Sequence, residues 1–229
     1  MKFRDDIDIE KTWVTSDSHF GHENIGDYCH RPLDYDQVMI AEWRAAVPDD
    51  ATVIHLGDLC YRGNAWFKNI IAPELTGARK LLLKGNHDHQ RYNFYKQCGF
   101  NMARDFKIPL VYHEGTSMWD GWLGAPSGDW QTPEHVISFS HYPAKLNELA
   151  YNEIRLHGHI HNNGYSRDAY VPFLKNHINL SVEQTKYRPV NLKLLLEAHL
   201  LGEYPETTDE QLEDARRRRE ENLKTKGQA

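Results

Sequence analysis

The sequence predicts an α/β sandwich, and three observations carry that reading. Short apolar runs rich in β-formers or Leu recur along the chain, as buried strands do. Segments with helical apolar spacing separate the early runs, the alternation expected of α/β architecture. Five of the runs end abruptly in a polar cluster that holds Asp, Asn or His.

Taken in chain order, Trp13 to Thr15 is the first strand and leads into Ser-Asp-Ser-His. Tyr35 to Ala46 is a helix, with Val38, Met39, Ala41, Trp43 and Ala46 on its apolar side. Asp34 is placed to cap it, and Pro48-Asp49-Asp50 ends it. The second strand, Thr52 to Leu56, runs into Gly57-Asp58. Asn64 to Ala72 is a second helix, stopped by Pro73. Lys80 to Leu83 is a strand ending in Lys-Gly-Asn-His-Asp, and Gln90 to Cys98 a helix closed by Gly99. Phe106 to Tyr112 reads as a strand, and residues 113–134 as an irregular segment holding Trp119, Trp122 and Trp130. Val136 to Phe139 leads into Ser-His-Tyr-Pro, and Ile154 to Leu156 into His-Gly-His-Ile-His. Ile178 to Val182 and Pro189 to Leu196 read as further strands, the second open to continuing as a helix. A polar helix at about 206–224 closes the chain, and no internal repeat is present.

The whole chain, 1–229, is expected to form a single domain, long enough to bury a core without disulfide or metal staples. A net charge of −6 argues against bulk electrostatic binding to nucleic acid, which needs clustered Lys and Arg. The basic run Arg216 to Arg219 does not change this. Glu213–Arg217, Arg216–Glu220 and Arg217–Glu221 are pairs at helical spacing, so it reads as a self-paired, solvated face. Cys29, Cys60 and Cys98 are scattered and form no CxxC pair, which suits free thiols in a reducing compartment. The N-terminus leads into no apolar run, and no stretch reaches the ~18 apolar residues of a membrane span, so a cytoplasmic location is expected.

The chain holds 14 histidines and no His run, so their placement carries the information. Functional groups of open α/β sheets gather at the carboxyl ends of strands. Asp17 and His19 are two apart at a strand end, a spacing that in a strand points both to one face, and His159 and His161 repeat the device. Asp58 offers two oxygens able to bridge two ions, Asn86 an amide oxygen and His141 another imidazole. Mixed N and O donors suit Mn, Fe, Zn or Ni without selecting among them. Two such ions roughly 3.5–4 Å apart would clamp a phosphoryl group and activate a hydroxide between them.

Asp17-Ser-His19, Gly57-Asp58, Gly85-Asn86-His87-Asp88, His141 and Gly158-His159-Ile160-His161 resemble, in order, the five motifs of the calcineurin-like metallophosphoesterase superfamily. The stretch from Asp17 through His22, Asn24 and Ile25 is similar to a branch of small bacterial and phage-encoded members, as is Asn179 to Glu183 with Tyr187-Arg-Pro189. The resemblance implies a metallophosphoesterase-type αββα sandwich, two mixed β-sheets flanked by helices. It implies that Asp17, His19 and His161 bind one ion, that Asn86, His141 and His159 bind a second, and that Asp58 bridges them. His87 would contact the scissile phosphate and protonate the leaving oxygen, with Asp88 orienting it by a hydrogen bond. Gly57-Asp58-Leu-Cys-Tyr-Arg62 is similar to the protein-phosphatase form of the second motif, where the arginine grips phosphate, although Tyr61 stands where an aspartate is usual. Arg62 thus has two readings, a phosphate contact or a surface salt bridge or helix-end residue.

The function expected is metal-dependent hydrolysis of a phosphodiester or phosphomonoester, manganese among the candidate ions, on a small phosphate-ester or nucleotide substrate. Two other functions compete. One is a nuclease or nucleic-acid end-processing phosphatase, which the acidic balance disfavours; the other is a non-catalytic metal-dependent binding module. His22 and Asn24 are balanced between substrate contact and a turn or helix start, and His157 is expected to be a packed strand residue. The Trp-rich segment 113–134 is read as a packing flap before a base-stacking surface.

Overall fold

A computed structural model describes residues 7–61, 64–110, 135–144, 152–162 and 176–200. The sequence expectations for Arg62, the Trp-rich segment 113–134 and the helix at about 206–224 lie outside them.

The strands form two mixed sheets. The first contains β1 (Thr12–Thr15), β2 (Thr52–His55), β3 (Arg79–Leu83), β4 (Phe100–Ala103) and β9 (Val190–Asn191), in the order β4-β3-β2-β1-β9. All its neighbours pair in parallel except β9, which is antiparallel to β1. The second contains β5 (Phe106–Leu110), β6 (His135–Phe139), β7 (Glu153–His157) and β8 (His177–Asn179) in sequence order, with only β5 antiparallel. Helices α1 (Ile25–Cys29), α2 (Tyr35–Ala46), α3 (Asn64–Trp66), α4 (Tyr92–Gln97) and α5 (Leu192–Leu200) flank the sheets. α3 runs on through a wider π turn at Phe67–Ile71 and a 3₁₀ turn at Ala72–Glu74.

Alternation of side chains across each strand sorts two cores. Val14, Ile54, Leu56, Leu81 and Leu83 on one face of the first sheet pack against Ile108, Ile137, Phe139, Ile154, Leu156 and Ile178 of the second, and Leu192, Leu195 and Leu196 of α5 join the same core. On the other face of the first sheet, Val53, Leu82 and Phe100 meet Met39 and Trp43 of α2, Phe67 and Tyr95. Cores of buried apolar side chains are close-packed, so the parallel strands they grip hold their carboxyl ends in fixed relation.

The structure departs from the sequence reading in two places. Asp34 stands at the N-cap of α2 but makes no side-chain cap bond; its backbone carbonyl instead accepts from Gln37 N at 2.9 Å. β4 and α1 were not anticipated. Phe-Asn-Met-Ala is a short edge strand with no β-branched residue, and five residues are too few to show a helical period. The segment Pro189 to Leu196, read as a strand open to continuing as a helix, does continue so: a two-residue strand runs into α5. Among the described residues, no helix is long and apolar enough to cross a membrane.

Candidate metal centre

β1, β2 and β3 of one sheet and β6 and β7 of the other end on the same edge of the sandwich. Ser16, just past β1, bridges in parallel to Ser181, just past β8, and ties the two sheets together there. Val182 N donates to Ser16 O at 3.1 Å across the same join. The loops that leave these strand ends carry the seven side chains named as ligands from the sequence, and the structure brings them together.

Asp17 and His19 lie beyond β1, so their shared direction does not come from a strand's period of two. Both have left-handed backbones, with φ of 56° and 47°. Asp58 (58°), His159 (72°) and His161 (51°) share this conformation. Non-glycine residues rarely adopt it, and it costs roughly 1–3 kcal/mol each where the surroundings enforce it. The loops are held in place from outside: Asp17 N donates to Gly57 O, His19 N to Asp58 O, and Gly158 N to His141 O, all at 2.9–3.0 Å. Backbones also approach side chains closely. A Cβ on Gly85 would collide with the Asp58 carboxylate, and one on Gly158 with Asp17 and Ser16.

Asp58 occupies the middle. Its Oδ2 lies 3.4 Å from His19 Nε2 and 3.5 Å from His141 Nε2, and its Oδ1 accepts from His87 N at 2.7 Å. On one side, His161 Nε2 is 3.7 Å from Asp17 Oδ1, and the His19 and His161 rings stack with centroids 5.1 Å apart. On the other, Asn86 Oδ1 lies 3.0 Å from both His141 Nε2 and His159 Nδ1. His141 Nδ1 donates to Leu56 O at 3.1 Å, which leaves Nε2 to face the centre.

Asp17, His19, Asp58 and His141 are almost completely buried. Burial alone would raise Asp17's pKa, but the imidazoles of His161, His141 and His19 outweigh it and hold the carboxyl below its ordinary range. Burial, with the charge of Asp17, pushes Asp58 up to about 7 against the pull of His141. Burial lowers His19 well below its usual value and His159 to about 4. His161 goes the other way: burial would lower it, but Asp17 and Glu183 raise it well above.

These residues fit a divalent cation. Neither ring nitrogen of His19 has a hydrogen-bond partner among the described residues, although both are buried, an arrangement that costs stability unless something binds there. Asp17, His19 and His161 present donor atoms within 4.8 Å of one another, as do Asp17, Asp58 and His141. Carboxylate, imidazole and amide donors together match the borderline first-row metals.

His87 lies on the lip, its ring 5.1 Å from that of His19 and 5.9 Å from that of Tyr61. Burial and His89 lower its pKa. Asp88 does not orient it. Its Oδ2 accepts from Asp58 N (2.7 Å) and Gly85 N (2.9 Å), and its Oδ1 from Leu59 N (3.1 Å) and Tyr95 OH (3.2 Å). Four donors saturate the carboxylate's lone pairs, so Asp88 stitches the loop after β2 to the loop after β3. A cleft of about 270 Å³ opens over the centre, lined by His22, Ile25, Tyr28 and Cys29 as well as His19, Asp58, Asn86, His87, His159 and His161. Tyr28 and Tyr61 stand exposed at its edge. His22 lines the cleft, with its ring 4.0 Å from Tyr61, while Asn24 sits at the start of α1. His157 is buried on β7.

Sequence reasoning passed over three further residues. His55 accepts from Gly57 N at Nδ1 (3.2 Å) and donates from Nε2 to Ser18 Oγ (2.9 Å), tying the loops after β1 and β2 together. Burial lowers its pKa to about 4, which keeps it neutral. Arg31 and Glu183 form an ion pair at 2.6 Å whose side chains are 0% and 4% exposed. Glu183 ends the Asn179 to Glu183 segment already noted in the sequence, and Arg31 stands among ordinary neighbours, but nothing local pairs the two; only contact across the fold does.

The chain is similar in sequence and in fold to known proteins. The uncharacterized protein MJ1445 of Methanocaldococcus jannaschii is 26% identical over 197 residues, covering 83% of this chain and 92% of that one. A solved structure of a protein of unknown function, AQ665 from Aquifex aeolicus, matches with a TM-score of 0.55 at 23% identity, over 81% of this chain and 97% of that one, a likeness of fold. The family model for calcineurin-like phosphoesterases matches residues 10–181, a stretch that contains every donor from Asp17 to His161. The chain belongs to the calcineurin-like phosphoesterase family, hydrolases of phosphoester bonds that typically bind divalent metals.

Proposed function

We propose that this protein hydrolyses small phosphate esters, nucleotides included, with two divalent ions in the cleft. Asp17, His19 and His161 hold one ion, Asn86, His141 and His159 the other, and Asp58 bridges them. The observation that carries the reading is the position of Asp58 Oδ2, between His19 of one donor set and His141 of the other. When bound, the ions supply Lewis acidity toward the phosphoryl oxygens and lower the pKa of water.

The protein's own groups do the rest. Asp17, Asp58 and the imidazoles set the charge and shape of the floor. Asn86 contributes a neutral oxygen, which limits the negative charge facing an anionic substrate. His87, whose ring lies beside that of His19, would give a proton to the departing oxygen. Arg62 gripping phosphate is part of the proposal on sequence grounds alone. The cleft of about 270 Å³ has room for a small phosphate ester. A single domain working in the cytoplasm completes the reading.

The test is hydrolysis of bis-p-nitrophenyl phosphate and p-nitrophenyl phosphate by chelator-stripped protein resupplied with Mn, Fe, Ni, Zn or Mg. Turnover that returns only with metal, at two ions per chain, supports the proposal, and the ratio of the two rates assigns diesterase or monoesterase preference. Folded, metal-loaded protein that turns over neither, nor a panel of nucleotides, overturns it in favour of a metal-dependent binding module.

A further inference from the structure

The Arg31–Glu183 pair lies behind the donor set, and Glu183 falls outside the stretch matched by the family model, 10–181. Glu183 Oε1 and Oε2 lie 3.1 and 3.2 Å from His161 Nδ1. Arg31 takes Glu183 Oε1 from the other side, through Nε at 2.8 Å and Nη2 at 2.6 Å. The same guanidinium donates from Nη2 to Asp17 O and from Nη1 to Ser18 O, each at 2.6 Å. One buried side chain therefore holds both the backbone of the first donor loop and the carboxylate that faces a donor from the other sheet.

His161 is held on its backbone as well. Its carbonyl accepts from Asn179 Nδ2 at 2.8 Å and from Gln184 Nε2 at 3.1 Å. The segment 179–184 thus grips the residue at its ring and at its main chain. α1 ends at His30 in a left-handed conformation, and Arg31 N returns to Gly26 O at 3.0 Å, which turns the Arg31 side chain inward.

We propose that Arg31 and Glu183 are positioning residues: together they fix His161 with its proton on Nδ1 and its Nε2 turned to Asp17, completing the first ion position. A carboxylate that accepts from one imidazole nitrogen dictates which nitrogen is left to bind metal. Glu183 could not do this alone, because a buried, unpaired carboxylate is costly. Arg31 neutralises it and ties its position to the Asp17 loop. The inference rests on the proposal that Asp17, His19 and His161 hold an ion.

The experiment uses the full chain, labelled with ¹⁵N-histidine and loaded with ¹¹³Cd²⁺. His161 is expected to show metal coupling at Nε2 and a retained proton on Nδ1; coupling at Nδ1 overturns the proposal. Metal affinity gives the second reading. In Glu183→Gln, one of two ions is expected to bind roughly 10–100-fold more weakly while the other is unchanged, and Glu183→Asp should recover part of the loss. If Glu183→Gln fails to fold because Arg31 is left without a counter-charge, the double substitution Arg31→Met, Glu183→Gln removes both charges and is measured instead. Two ions bound with unchanged affinities in either folded variant refute the positioning role. Failure of the unaltered protein to bind cadmium or any other ion is a different result, which removes the metal reading and this inference with it.

Discussion

Asp88→Asn separates two ways in which this aspartate can matter. The carboxylate accepts four hydrogen bonds, two on each oxygen. An asparagine has one oxygen. Its least costly orientation keeps that oxygen on the shorter pair, Asp58 N and Gly85 N, and points the NH₂ at Leu59 N and Tyr95 OH. The Tyr95 hydroxyl can rotate and accept; the Leu59 N–H cannot, and it is buried. The substitution thus loses one charge-assisted bond, about 1.5–3 kcal/mol, and leaves one buried donor unmet, about 1–3 kcal/mol. The sum, about 2.5–6 kcal/mol, at ~2–4 °C per kcal/mol for a chain of this size, lowers Tm by roughly 5–24 °C. Urea and thermal unfolding measure this directly, and turnover is measured alongside on His87→Ala and on the double variant. Additive losses of turnover agree with a stitch between loops. Unchanged Tm, with the double variant no slower than His87→Ala, would show that Asp88 acts through His87 and refute the reasoning.

Three further outcomes are expected. Asp58→Asn should reduce the bound metal below two ions per chain by elemental analysis, with turnover falling beyond the roughly 10–100-fold typical of residues one step removed from a metal; full occupancy and activity would end the bridging assignment. Gly158→Ala forces a Cβ into Asp17 and Ser16 and should cost ~1–3 kcal/mol in urea unfolding while weakening metal retention; neutrality in both would show that the loops move apart freely. Stripping metal should lower stability by about 2.7 kcal/mol for each ion held at 100 times its dissociation constant, a difference that calorimetry with and without chelator reads.

Much of the centre was legible because metal chemistry uses few residue types and places them at strand ends. Asp17, His19, Asp58, Asn86, His141, His159 and His161 each follow an apolar run by a few residues, and that local pattern survives in one dimension. Three physical facts were hidden. The directions of Asp17 and His19 come from left-handed backbone angles enforced by other loops, and such angles leave no trace in residue type when the residue is not glycine. Asp88 reads as a partner of its neighbour His87, while its real partners come from the loops after β2 and β3 and from α4. Arg31 and Glu183 lie 152 residues apart and meet only in the folded chain. β4 and α1 escaped for the plainer reason that four or five residues show no period.

The join at Ser16 and Ser181 has a consequence for how such a protein is made. Each proposed ion position takes donors from both sheets: Asp17 and His19 from one with His161 from the other, and Asn86 from one with His141 and His159 from the other. While the chain is being synthesised, neither position exists until residue 161 has left the ribosome and the second sheet has docked on the first. The nascent N-terminal half therefore offers a passing metal only scattered donors, and binding of the ions is deferred to the finished sandwich.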